Sequence, residues 1–191
     1  MTMEKKYRLL ENDTITVGSG TLYRIEALKD FANVKKGDKG GYIESEDNLS
    51  HIGNCWVSDN AEIYGNARVY DNAKVYGDAE VYGDARVYDK AKVYGDAEVF
   101  GDARVDGNAW VFGDARIRDT ADYYVGKNVW SSGRYFTYTR SNKMWKVGCF
   151  YGTGEELIAK AYRDSEVSRR EYKRVVEYVE AMYADLEKDK K

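Results

Sequence analysis

The chain has 191 residues, with 33 Asp and Glu against 30 Lys and Arg, one His, two Cys and no Pro. No apolar run approaches the ~18 residues of a membrane span, and the start MTMEKKYRLL lacks the apolar core of a secretory signal, so a cytoplasmic protein without a membrane partner is expected. Residues 43–122 hold 17 acidic against 8 basic side chains while both flanks are mildly basic, which argues against general DNA binding along the middle of the chain.

Residues 1–42 read as an N-terminal β cap. Tyr7 to Leu10 and Ile15 to Val17 have strand character, Gly18-Ser19-Gly20 is a turn, and Thr21 to Leu28 is again β-like. Residues 43–60 follow as three imperfect sixes, IESEDN, LSHIGN and CWVSDN. In that alignment Ile43, Leu49 and Cys55 take one small-residue slot, and His51 falls where later units carry an inward Val. Asp47, Gly53 and Asp59 then mark the corners.

From residue 61 the period becomes exact: AEIYGN, ARVYDN, AKVYGD, AEVYGD, ARVYDK, AKVYGD, AEVFGD, ARVDGN, AWVFGD, ARIRDT. Residues two apart on a strand share a face, so Ala and Val point one way and the residue between them the other. Two small apolar side chains per unit cannot bury themselves alone, so units must stack. Gly after the aromatic marks a corner needing positive φ, and Asp71, Asp89 and Asp119 are tolerated substitutes there.

The variable second position reads Glu62, Arg68, Lys74, Glu80, Arg86, Lys92, Glu98, Arg104, Trp110. It repeats every third unit, so eighteen residues make one coil. Stacked coils then sort side chains into columns about 4.8 Å apart. One face carries Glu62, Glu80 and Glu98 followed by Arg116, a second Arg68, Arg86 and Arg104, and a third Lys74, Lys92 and Trp110. The corners carry Tyr64, Tyr82 and Phe100, then Tyr76, Tyr94 and Phe112, then Tyr70, Tyr88 and Asp106.

The pairing of an aliphatic residue with a small one four later, as in Val69 with Ala73 or Val81 with Ala85, resembles the hexapeptide-repeat, left-handed parallel β-helix family. The resemblance implies three hexapeptides per coil over residues 43–122. Asp30-Phe31, Gly40-Gly41-Tyr42-Ile43, Leu49-Ser50 and Cys55-Trp56-Val57 are similar to the N-terminal segment of uncharacterised bacterial and phage hexapeptide-repeat proteins, which lend a fold but no activity.

After Thr120 the repeat stops, with Ala121-Asp122-Tyr123-Tyr124 as a last partial unit. RYFTYTR (134–140) and KMWKVGCF (143–150) alternate around Ser141-Asn142 and read as a β-hairpin. A helix should begin after Thr153. A second should follow a capping box of Ser168 with Glu171, with apolar residues at Tyr172, Val176, Val179, Tyr183 and Leu186. Residues 123–191 are thus an α+β module. Gly148-Cys149-Phe150, Gly152-Thr153, Glu155-Glu156 and Glu171-Tyr172 resemble a small module carried by phage and prophage repeat proteins.

The chemistry legible in the sequence is sparse. Many relatives by fold are acyltransferases using acetyl-CoA, with a His as general base between subunits, which makes His51 a weak catalytic candidate. The repeat from residue 61 to residue 120 has no inserted loop to build a pocket, and a structural role for His51 is the better reading. The stacked Asp78, Asp96 and Asp114 are explained by turn capping without a metal. No zinc-type spacing or phosphate-binding glycine loop occurs, so no cofactor is expected. Cys55 and Cys149 read as reduced thiols. The expectation is a mainly β, non-enzymatic binding or scaffold protein. It would be a phage or prophage accessory factor that engages a protein or nucleoprotein partner, with inhibition of a host defence complex as one such role. Its contact residues are Arg68, Arg86, Arg104, Lys74, Lys92, Trp110, Glu62, Glu80 and Glu98. The competing readings are an acyltransferase using acetyl-CoA and a mimic of nucleic acid built on the acidic columns; among partners, a second copy of the chain in a homo-oligomer is also open.

Overall fold

The structure is a computed structural model that describes residues 4–188. It divides into two compact units, Met1–Thr120 and Ala121–Lys191.

The first unit is a parallel β-solenoid whose coils repeat every eighteen residues. One sheet stacks β5 (Glu62–Ile63), β8 (Glu80–Val81), β11 (Glu98–Val99) and β14 (Arg116–Ile117). A second stacks β6 (Arg68–Val69), β9 (Arg86–Val87) and β12 (Arg104–Val105). A third stacks β4 (Trp56–Val57), β7 (Lys74–Gly77), β10 (Lys92–Gly95) and β13 (Trp110–Val111). In every parallel pair from Glu62 onward the partners are eighteen apart, as in Arg68 with Arg86 or Lys92 with Trp110.

The interior contains what the period dictates. Every repeat Ala from Ala61 to Ala115, and every Val or Ile from Ile63 to Ile117, is fully buried. Each buried Val contributes roughly 1.5–3 kcal/mol, and the narrow section leaves no room for larger residues opposite Ala. Ladder bonds run from each coil to the next, for example Glu62 N–H to the Ala79 carbonyl at 3.0 Å and Lys74 N–H to the Ala91 carbonyl at 3.0 Å. The corners are aromatic columns. Tyr64 stacks on Tyr82 with centroids 5.1 Å apart, Tyr82 on Phe100 at 5.3 Å, Tyr70 on Tyr88 at 5.0 Å and Tyr76 on Tyr94 at 4.6 Å.

Asp59, Asp71 and Asp89 take the left-handed corner at φ 59, 57 and 57. Asp119 and Asp47 do not, contrary to the spacing. Asp47 lies in the 3₁₀ turn Glu46–Asn48, and Asp119 sits where the regular repeat is ending.

The first coil corrects the sequence alignment. β3 (Lys39–Ile43) sets Ile43 beside Ile63, and Leu49 bridges to Val69, both twenty residues apart. Ile43 and Leu49 therefore occupy Val slots and not Ala slots, whereas Cys55 does take an Ala slot, because Trp56 pairs with Lys74. Ser50 N–H still bonds the Val69 carbonyl, and Asn54 N–H already bonds that of Asp71. His51 and Ile52 are thus the two extra residues of this coil, and His51 does not stand at an inward Val position. Six-residue arithmetic cannot register such an expansion, since the corner residues on either side still look regular.

β1 (Tyr7–Val17) and β2 (Gly20–Ala27) form an antiparallel hairpin that extends the first sheet through β3. Its start closes the interior. Tyr7 is fully buried and its hydroxyl donates to the Leu49 carbonyl at 2.6 Å. Lys6 is 1% exposed, and its ammonium donates to the Cys55 carbonyl at 2.8 Å. Burial lowers the Lys6 pKa, against a raising influence from Cys55.

The second unit is an antiparallel sheet of β15 (Tyr123–Lys127), β16 (Tyr135–Thr139), β17 (Met144–Val147) and β18 (Phe150–Gly152) with two helices, α1 (Gly154–Asp164) and α2 (Glu166–Lys188). The expected hairpin is β16 with β17, where Tyr138 pairs with Trp145. Tyr123 and Tyr124 are not a partial repeat. They begin β15, paired with Thr139 and Tyr138.

Thr153 caps α1, its hydroxyl accepting from Glu156 N–H while Glu156 accepts from Thr153 N–H. The cap of α2 is Ser165, whose Oγ accepts from Ser168 N–H at 3.0 Å. Ser168 itself lies inside the helix, so the expected Ser168–Glu171 box is wrong by one turn. The first of two serines three apart captured the helix end. Tyr172, Val176, Val179 and Tyr183 are buried with Trp145, Phe136 and Leu157, while Leu186 is 40% exposed. Among the described residues no helix is long and apolar enough to cross a membrane.

Candidate functional site

The three faces of the solenoid carry different side chains in different surroundings. On the acidic face, Tyr64 donates to Glu80 at 2.9 Å and Tyr82 to Glu98 at 3.0 Å. Arg116 closes the column with a 2.5 Å bond to Glu98. Burial, with the neighbouring Glu80 charge, raises the Glu62 pKa. The carboxylates are therefore held by the corner hydroxyls one coil below.

The Lys and Trp face is also internally engaged. Lys74 donates to Asn33 at 2.6 Å, and the Lys92 ammonium sits 4.3 Å from the Trp110 ring centroid. That geometry stabilises by about 0.5–2 kcal/mol. Burial, and then the Lys74 charge, lowers the Lys92 pKa.

The remaining face carries the arginines. Arg68, Arg86 and Arg104 are all exposed and in register on adjacent strands. A shallow depression of about 320 Å³ lies there, lined by Asp47, Ser50, Arg68, Val69, Tyr70 and Arg86. The Tyr70–Tyr88 stack borders it, and Tyr88 donates to Asp106 at 2.8 Å. Asp47 and Ser50 were not singled out from sequence, because the two extra residues of the first coil hide their register.

His51 sits apart from any cavity of this face. Its Nδ1 accepts from Lys6 N–H at 3.1 Å, its Nε2 lies 3.4 Å from Glu46, and its ring stacks on Tyr7 at 4.3 Å. Both ring nitrogens are engaged in holding the cap. Replacing His51 by Ala should therefore lower the unfolding free energy by about 1–3 kcal/mol, since the Lys6 N–H loses its acceptor; chemical denaturation measures this.

Asn54, Asn60 and Asn66, each just after a corner, bond to the next coil. Asn60 donates to Asp78 at 3.1 Å and Asn66 to Asp84 at 3.0 Å. Among the described residues no group of three or more His, Cys, Asp or Glu is placed to hold a metal ion. Cys55 is buried and Cys149 exposed, both as free thiols.

A family profile described as the YdcK beta solenoid repeat matches residues 61–77. That is the first regular coil, and the match agrees with the repeat β-helix architecture of the first unit. No curated protein matches the chain.

Proposed function

We propose that the protein is a non-enzymatic binding protein whose solenoid presents the Arg68, Arg86, Arg104 face to an acidic surface of a protein or nucleoprotein partner. The observation that carries this reading is the contrast between faces. The acidic column is tied down by corner hydroxyls and the lysine column by Asn33 and Trp110, while Arg68, Arg86 and Arg104 form an exposed, in-register row of one charge. Arg presents a planar fork of donors suited to carboxylates and phosphates. A stacked β-solenoid loses little conformational freedom on docking, which lowers the entropic cost of association.

The likeness of the repeat and of the C-terminal module to phage and bacterial hexapeptide-repeat proteins supports an accessory role, in which the face occupies a charged surface of a host complex. Substituting all three arginines by Glu should reduce capture of partners from host lysate about tenfold or more at moderate salt, mainly through slower association. Equal capture by wild-type and triple variant removes this face. Loss of capture on substituting Glu62, Glu80 and Glu98 would instead favour the nucleic-acid mimic. Acetyl-CoA binding abolished by His51→Ala would favour the acyltransferase.

A further inference from the structure

We propose that the C-terminal unit holds a small-molecule site for a zwitterion, a compound about the size of a free amino acid that carries one carboxylate and one ammonium group. This site is independent of the arginine face.

A cavity of about 280 Å³ lies within this unit, among the 128–134 loop, the β17–β18 turn and the junction of the two helices. Its volume lies at the small end of ligand pockets, which run to roughly 300–1,000 Å³, so the occupant is compact. Its floor includes buried polar side chains beside the apolar Val147, Leu157 and Ala161, and its rim is exposed and charged. Asn128 is 2% exposed, Ser168 3% and Tyr172 5%. Asn128 fixes the loop, its Nδ2 donating to Tyr172 Oη at 2.9 Å and to Ser131 Oγ at 2.8 Å, while its Oδ1 accepts from Ser131 N–H at 2.9 Å.

That arrangement leaves donors unspent. Tyr172 Oη accepts from Asn128, and no described residue accepts its own proton. Ser168 Oγ makes no hydrogen bond with any described residue, although its backbone N–H is taken by Ser165. Among the described residues the one buried side-chain polar atom without a partner is Trp130 Nε1, so the Ser168 hydroxyl opens onto the cavity, and its proton and that of Tyr172 are there for a ligand with acceptor atoms.

The charges around the cavity fit the same ligand. Arg134, Lys160 and Asp164 line it, and among the described residues none of the three forms an ion pair. Arg134 packs over Gly148, whose added Cβ would meet its Nη1 at 3.2 Å, and the Lys160 ammonium lies 5.7 Å from the Phe150 ring centroid. α1 ends at Asp164 and α2 starts at Glu166, so a negative helix end and a positive one meet at Ser165. A carboxylate is received by Arg134, Lys160, the start of α2 and the Tyr172 and Ser168 hydroxyls. An ammonium is received by Asp164 and the end of α1.

The test titrates the full-length protein with single L-amino acids up to about 5 mM, a range that detects binding in the millimolar class, followed by amide NMR and calorimetry. At least one should shift the Ser131 and Ser168 signals. Its N-acetyl and its carboxamide derivatives should each bind about tenfold more weakly or worse, as should the parent compound to Arg134→Met and to Asp164→Asn. Arg134 and Asp164 are exposed, so both variants should keep the wild-type melting temperature without probe; Lys160→Met serves as the second cationic variant if one does not. The proposal is overturned if no amino acid binds, if the N-acetyl derivative binds as well as its parent, or if the charge variants bind like the wild type.

Discussion

Raising the pH from 10 to 12 should unfold the protein, and the transition should coincide with the last step of tyrosinate absorption, that of the buried Tyr138 and Tyr183. Burial pushes Tyr138 and Tyr183 up to about 12, and a hydrogen bond to Asp106 does the same for Tyr88. Tyr7, Tyr64, Tyr76 and Tyr172 are raised as well, chiefly by burial. In the unfolded chain these phenols ionise near pH 10. Their stabilisation is complete below that pH and is lost as the pH rises toward the folded values. Each proton retained only by the folded state steepens the loss by about 1.4 kcal/mol per pH unit. For Tyr138 or Tyr183 alone that amounts to at most roughly 2–3 kcal/mol.

Lys6 works in the opposite direction. Its lowered pKa means that the unfolded state binds the extra proton, so stability rises with pH up to the ordinary lysine value. Lys92 and Lys146 shift the same way, but the lysine gain is complete once the pH passes the ordinary lysine value of about 10.4, so above it the tyrosines set a negative slope. Denaturant titrations at pH 8, 10, 11 and 12, read by circular dichroism and by absorbance, check this. Complete ionisation of the tyrosines with the fold still intact at pH 12 would refute it.

Replacing Gly95 by Val should cost about 3 kcal/mol or more. Gly95 sits at φ +78, and a Cβ there would lie 3.1 Å from the Gly113 nitrogen and 3.2 Å from its oxygen, both backbone atoms of the next coil. The left-handed region costs an L-residue roughly 1–2 kcal/mol, more for a β-branched one, and the backbone clash adds to it. Asp71→Gly, at φ 57, is the matching control and should stay within about 1 kcal/mol of wild type, because the relieved strain is small. Equal stability of Gly95→Val and wild type in urea would show that the corner is not sterically determined.

The faces of the solenoid were readable because a six-residue period with an eighteen-residue colour scheme leaves one arrangement. Glu62, Glu80, Glu98 and Arg116 had to stack, and they do. What that arithmetic could not see is where it is interrupted. The expansion at His51 and Ile52 preserves the flanking corner residues, so the alignment of Ile43 and Leu49 was two residues out. The plug formed by Lys6 and Tyr7 depends on tertiary fit between segments more than forty residues apart, and no local pattern announces it. In the second unit, propensity located the hairpin and both helices, but not that Tyr123 starts a strand, because an aromatic pair after a repeat looks like more repeat. The cavity at the helix junction was illegible for the same reason: Asn128, Arg134, Asp164 and Tyr172 meet only after folding.

The coil-to-coil identity has a consequence for how such a protein changes length. Residues 73–90 could be copied as a block, and each new side chain would stack on its own kind: Ala on Ala, Val on Val, Tyr on Tyr, Arg on Arg. Rod length is therefore an integer that recombination can step up without redesigning an interior. The unique first coil, with its two supernumerary residues, remains the fixed end from which the count is made.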